Sequence, residues 1–312
     1  MRRRVLRRAG SVPLLGQIRA LPSSSPRSIT LKVVPRRFLI SRLWILLLLP
    51  FANNAFAQTP AGTGPEQEPQ SEQQQILDRM RAYADGYVAN LPNFLCDQIT
   101  RQYEAGKRSE RWHSGDTLSA QLSFHDGSEE RKIEQVNGKP IKPGRRAGRT
   151  PLVTEGEFGI LLSRVLGPES AAVFTWRGWE TLRGKRLAVF DYSVDKQHST
   201  LILRLSDLAK AVIPYRGAVY GDPASGAVWR ITDTSSEIPA ILATREISTT
   251  IDYSELPIGD KSFILPVGAT VSLLLEDKKV KNEISFQNYR KFETGSVIRF
   301  GSESDSEVPP KQ

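Results

Sequence analysis

Leu118-Ser119-Ala120-Gln121-Leu122-Ser123-Phe124-His125-Asp126-Gly127 decides the fold class. Leu118, Ala120, Leu122 and Phe124 alternate with Ser119, Gln121 and Ser123, so one face is apolar and the other polar. A period of two belongs to a half-buried strand, because successive side chains leave a strand on opposite faces. His125-Asp126-Gly127 then predicts a tight hairpin, since Asp-Gly supplies the positive φ that such turns require. Asn137-Gly138 repeats that signal. The stretch from Phe94 to about Ile141 therefore reads as an antiparallel meander.

Downstream the same pattern persists. Strands are predicted over Val173–Thr181 and Arg186–Val194 around Arg183-Gly184-Lys185, and over His198–Leu205. Tyr215 to Ile231 reads as two strands flanking Asp222-Pro223-Ala224-Ser225-Gly226, with proline and glycine at turn-compatible positions. Residues 242–255, 262–275, 280–290 and 294–300 supply the last four strands.

Two helices interrupt the strands. Over residues 73–91, Ile76, Met80, Tyr83 and Tyr87 fall at i, i+4, i+7 and i+11, one apolar stripe widened by Leu77, Ala84, Val88 and Leu91. Pro92 ends it, because the residue before proline avoids the helical region. A second helix is predicted from a capping box, Thr154 with Glu157, and its apolar face is Phe158, Leu161, Leu162 and Val165. Gly167-Pro168 stops it. Helices do not alternate with strands, which argues against a parallel sheet. The expected fold is α+β: one large curved antiparallel sheet, an unclosed β-barrel, with two helices over one face.

The N-terminus carries an address. Eleven of the 43 Lys+Arg residues and none of the 34 Asp+Glu lie in the first 57 positions. An apolar run, Leu43-Trp44-Ile45-Leu46-Leu47-Leu48-Leu49, and Ala55-Phe56-Ala57 follow. This is the layout of a secretory signal peptide, with Gln58 as the first mature residue. The run is shorter than the roughly 20 residues that span a bilayer. Its basic region is long, and Arg36-Arg37-Phe38-Leu39 partly matches a twin-arginine signal. The general export route, the twin-arginine route, an uncleaved anchor and a start site downstream of Met1 all stay open. Residues 58–74 lack large apolar side chains and read as a disordered linker, residues 75–300 as the β-domain and 301–312 as a disordered tail. The expected site of action is the periplasm.

Removing the leader leaves 32 cationic against 34 anionic side chains. The basic excess of the whole chain, +9, thus leaves with it, and with it the case for nucleic acid as a partner. Arg145, Arg146 and Arg149 share one loop and read as solvated, with contact to an anionic lipid surface as the alternative. Cys96 is the only cysteine, so no intrachain disulfide can form. Its apolar setting, Asn93-Phe94-Leu95-Cys96, reads as a small buried hydrophobe, with a reactive thiol as the alternative.

No chemistry-bearing motif is present. The chain has no G-x-S-x-G elbow, no H-E-x-x-H, no phosphate-binding loop and no C-x-x-C. His113, His125 and His198 are its only histidines and read as turn or strand-end residues. Asp191, Asp195, Asp222, Asp252 and Asp260 sit beside turns, where Asp caps backbone amides. No catalytic residue, metal ligand or cofactor is assigned. Trp176, Trp179, Trp229, Tyr215 and Tyr220 read as core packing on a sheet, with a stacking platform for sugars or bases as the alternative.

Export signal, helix, meander, second helix and long strand run together resemble the lipoprotein-carrier superfamily of LolA, LolB and RseB. The segment Tyr220-Gly221-Asp222-Pro223-Ala224-Ser225-Gly226-Ala227-Val228-Trp229-Arg230-Ile231 is similar to the Asp-Pro-x-Thr/Ser-Gly hairpin of that superfamily. The resemblance implies an exported, non-enzymatic protein that takes an acyl chain or lipoprotein inside an unclosed barrel. Met80, Tyr83, Tyr87, Phe158, Leu161, Leu162 and Val165 would line that pocket. A domain of the RseB kind, reading an envelope protein partner, is the second expectation, and a hydrolase the third.

Overall fold

The computed structural model describes residues 29–33, 71–141, 152–153, 158–205 and 209–292. In chain order the elements are β1 (Ile29–Val33), α1 (Glu72–Asn90), β2 (Phe94–Gly106), β3 (His113–His125), β4 (Ser128–Val136), β5 (Lys139–Pro140) and β6 (Leu152–Val153). Then come α2 (Ile160–Leu166), β7 (Val173–Leu182), β8 (Lys185–Val194), β9 (Leu201–Arg204), β10 (Lys210–Val212), β11 (Tyr215–Gly221) and β12 (Val228–Ser235). A short 3-10 turn, Ala240–Leu242, leads into β13 (Thr244–Ile258), β14 (Lys261–Leu275) and β15 (Lys278–Lys291).

Eleven strands form one antiparallel sheet in the order β5-β4-β3-β2-β15-β14-β13-β12-β11-β8-β7. Its end strands, β5 and β7, do not pair with each other, so the sheet stays open. This is the expected architecture. The meander stands as read: Asp126 and Gly127 take φ 48° and 75°, and Asn137 and Gly138 take 53° and 74°. Arg183 and Gly184 make a third turn of this kind, with φ 50° and 81°. Arg183 reaches across to donate to the Tyr253 carbonyl at 2.6 Å.

One face of the sheet is mostly apolar and carries both helices, with Gln98, Thr100, Gln102, Asp233 and Asn282 as buried polar side chains on it. Phe94, Leu122, Phe124, Phe190, Val219, Ile231, Ile251, Tyr253, Leu265, Val271 and Ile284 share a buried cluster with the apolar stripes of α1 and α2. The other face has its own small cluster, Leu187, Val189, Ala218 and Tyr220, capped by Leu182 and Trp229. Elsewhere it is polar, with charged side chains and a ladder of hydroxyls: Thr232 opposes Thr250, Thr250 opposes Thr270, and Ser248 opposes Ser272. Alternation along each strand produces this division directly.

Helix α1 starts at the Ser71 cap, whose Oγ accepts the Gln74 amide at 3.2 Å. It ends where Leu91 turns extended (ψ 136°) before Pro92. The Asp222–Gly226 turn docks on it. Asp222 accepts the Ala224 and Ser225 amides at 3.0 and 2.9 Å, and Arg79 donates to the Pro223 carbonyl at 2.9 Å. Gly226 takes φ +74°, and a Cβ there would lie 2.3 Å from the Arg79 carbonyl oxygen. Gly226→Ala is therefore expected to cost roughly 2–4 kcal/mol, combining left-handed strain with a backbone clash. Chemical denaturation of the variant against the parent measures it.

Three sequence expectations change. Helix α2 begins at Ile160, not just after Thr154. Its N-cap is Gly159 at φ 113°, with no side-chain cap. Phe158 must enter an aromatic cluster and Val88 fills the space beside Gly159, so the chain turns there before it can wind. Thr154 and Glu157 lie outside the described residues, as do Arg145, Arg146, Arg149 and the strand expected over 294–300.

The second change is a small separate sheet, β10-β9-β1-β6. Within it β1 and β6 run parallel, whereas only antiparallel pairing was expected. Third, β1 comes from the stretch read as a leader, and it pairs with β9 from Thr30↔Arg204 to Val33↔Leu201.

Candidate functional site

The seven expected pocket residues meet in one place. Met80 and Tyr87 come from α1, Leu161, Leu162 and Val165 from α2, and Phe158 from the turn before it. All six are buried, and Tyr83 is half-buried beside them. Met80, Leu162 and Val165 have no exposed surface at all. They lie in the apolar layer between the helices and the open sheet.

Close approach makes this layer tight. A Cβ on Gly221 would sit 2.5 Å from the Met80 sulfur, so only glycine lets α1 lie that low over β11. Tyr87 packs edge-on to Tyr253, ring centres 6.3 Å apart, and its hydroxyl donates to the Ile264 carbonyl at 2.9 Å. Burial pushes the Tyr87 hydroxyl well above its usual range, so it stays a donor. Phe158 contacts the rings of Phe94, Phe124, Phe286 and Tyr289 at 5.3–6.3 Å.

A charged fastener also crosses the layer. Arg164 of α2 forms an ion pair with Asp233 of β12, both side chains under a tenth exposed. The guanidinium lies 4.6 Å from the Tyr215 ring centre, and the Tyr215 hydroxyl donates to the Arg164 carbonyl at 3.3 Å. Arg164 Nε finds no partner among the described protein atoms, and the Tyr192 hydroxyl lies beside the Asp233 carboxylate. Burial raises the Asp233 carboxyl and the Arg164 charge opposes it, with a net rise. Sequence reasoning missed this pair. Nothing in the local sequence around Arg164 or Asp233 marks either one as the other's partner.

The aromatic group divides. Trp176 packs on Phe190 and Trp179 at 5.0 and 5.3 Å on the helix-bearing side, with Arg186 4.2 Å over Trp179. Trp229 sits on the small cluster of the other face with Lys185 4.3 Å above it. Cys96 has no exposed surface, and burial, aided by Asp97, pushes its thiol up to about 12. Such a thiol stays protonated and inert.

The histidines are dispersed. His113 and His125 stand at opposite ends of β3, and His198 Nδ1 lies 2.9 Å from Asp195 in an exposed turn. Among the described residues no three His, Cys, Asp or Glu side chains are placed to hold a metal ion. No helix among them is long and apolar enough to cross a membrane.

Two hollows, about 510 and 310 Å³, are present on the sheet. Arg177, Asp191, Ser193, Arg216 and Thr234 line the larger one, and Asp195, Lys196 and Glu237 border the smaller. Neither includes any of the seven apolar residues. Their mixed charges and hydroxyls suit water.

No family model and no curated protein matches the chain. Among solved structures, a LolA superfamily protein from Nitrosomonas europaea is 10% identical, over 70% of this chain and 93% of that one, with a TM-score of 0.34. A putative outer membrane lipoprotein-sorting protein domain from Vibrio parahaemolyticus is 10% identical, over 73% and 96%, at 0.30. A DUF1329 family protein from Desulfovibrio piger is 9% identical, over 75% and 98%, at 0.36.

Proposed function

We propose that the chain is an exported, non-enzymatic binding module that accepts an apolar chain between its two helices and its open sheet. A lipid acyl chain, free or carried on a lipoprotein, has the matching chemistry. One observation carries this reading. The layer under α1 and α2 is largely apolar, and the helices are pinned to the sheet at a few polar points: Arg79 to Pro223, Tyr87 to Ile264, and Arg164 to Asp233 and Tyr215. Releasing them would part the layer without leaving strand hydrogen bonds unmade. The opened space would be lined by Met80, Tyr83, Tyr87, Phe158, Leu161, Leu162 and Val165, and the flexible thioether of Met80 suits a site that reshapes. Residues 1–57 serve as the leader, cleaved near Ala57–Gln58, and the mature module works in the periplasm.

Solvent extraction of protein purified from the envelope, followed by mass spectrometry, tests this. Near-stoichiometric lipid is expected, together with saturable binding of a fluorescent fatty acid. Lipid-free protein that also ignores the fatty acid would falsify the reading.

The second reading, an envelope-sensing interaction module, draws on β7. It is an end strand of ten residues, with Val173 68% and Trp179 36% exposed. Among the described residues its outer edge has no strand partner, and an edge of that length is a pairing surface for a protein partner. Its bulge at Gly178 (φ 136°) bends the edge away, which is why the apolar layer is favoured.

A further inference from the structure

We propose that the place of β1 in the small sheet is a strand-docking slot, filled by residues 29–33 in the full chain and offered to an extended segment of a partner polypeptide once the leader is gone. This rests on the reading of residues 1–57 as a cleaved leader, and goes beyond the acyl-binding reading.

The geometry is that of a gap one strand wide. β1 lies between β9, to which it runs antiparallel, and β6, to which it runs parallel. Neighbouring strands sit about 4.8 Å apart, so removing β1 leaves β9 and β6 separated by about 10 Å. Among the described residues β6 has no other strand partner. What remains is β9 with β10, and a two-stranded ribbon is marginal in water, whereas a third strand makes such a sheet viable.

β9 cannot retreat to satisfy its exposed edge. Leu201 and Leu203 are 5% and 1% exposed and belong to the main apolar cluster. The other edge of β9 is already engaged: Ile213 donates to the Leu201 carbonyl at 3.0 Å, and Leu203 pairs with Ala211. A strand fixed in position with one row of amides and carbonyls unpaired is a template for another strand. Main-chain hydrogen bonds supply the affinity of such an addition, and alternate side chains its selectivity.

The present occupant defines the chemistry of the next. Ile29-Thr30-Leu31-Lys32-Val33 alternates apolar with polar residues and is rich in β-branched side chains. The slot thus suits an extended five-residue segment of that pattern, without proline at the positions that must donate.

The test uses protein exported and purified from the envelope, its N-terminus read by intact mass, and a synthetic peptide of residues 28–34. Hydrogen exchange over Leu201–Arg204 is followed with and without peptide. Protein starting near Gln58 should exchange rapidly there, and the peptide should slow it about tenfold or more, in a saturable way. Adjacent amides point to opposite edges of a strand. One of the Leu31→Pro and Lys32→Pro peptides must therefore lose a donor toward β9 and bind roughly tenfold more weakly. Mature protein whose exchange ignores the peptide, or binds both proline peptides as well as the parent, overturns the slot. Protein that retains residues 29–33 overturns instead the leader reading beneath it. Lipid extraction from the same sample reports on acyl binding separately.

Discussion

Arg164→Met alone is expected to lower stability by about 3–5 kcal/mol, because it strands the Asp233 carboxylate in an apolar layer. Asp233→Leu alone should cost a similar amount by stranding the guanidinium. The double variant Arg164→Met/Asp233→Leu should return to near the parent. It removes both charges at once, and the orphaned Arg164 Nε shows that the pair is incompletely satisfied. In a domain of this size, 3–5 kcal/mol lowers Tm by about 10 °C, so calorimetry separates the three variants. Single-variant losses that simply add in the double would show that the two side chains act independently. The pH dependence has a fixed sign. Asp233 titrates higher in the fold than in the unfolded chain, because burial outweighs the attraction of Arg164. Its protonated form therefore favours the folded state. That contribution is full below the ordinary carboxylate pKa and is lost as pH rises through the raised value. Asp233→Asn should flatten this part of the stability profile.

The elements that could be read in advance share a local cause. Leu118 to Phe124 declare their facing by alternation, and Asp126-Gly127 and Asn137-Gly138 declare their turns by the φ they tolerate. The Ile76–Tyr87 stripe declares a helix by its spacing, and Pro92 its end. What stayed hidden depends on contacts between distant parts of the chain. The start of α2 is set by Phe158 falling among Phe94, Phe124 and Phe286, a packing event with no local signature, so the Thr154–Glu157 spacing misdirected the boundary. The Arg164–Asp233 pair joins residues 69 positions apart, and nothing local marks either as the other's partner. The small sheet depends on β1 reaching β9 across more than 160 residues, and an apolar alternation inside a strongly basic stretch draws no attention as a strand. The seven apolar residues were legible as a group because helix periodicity puts them on facing stripes. Whether that layer opens is a question of energy, which periodicity does not encode.

Phe158→Ala addresses that energy most directly. The ring is 2% exposed and touches four others, from β2, β3 and β15, while its backbone sets the entry to α2. Truncation should cost about 3–5 kcal/mol, the sum of lost transfer energy and a cavity the surrounding strands cannot fill. Thermal melting should show a drop of about 10 °C. An apolar cavity of this kind stays dry and takes small apolar ligands. If the layer parts to admit an acyl chain, loosening it at Phe158 should also speed association of a fluorescent fatty acid, since less packing has to be broken before entry. If these residues are core and nothing more, the melt falls and the association rate stays where it was. Measuring melt and rate on the same variant thus separates a layer that opens from one that is core alone.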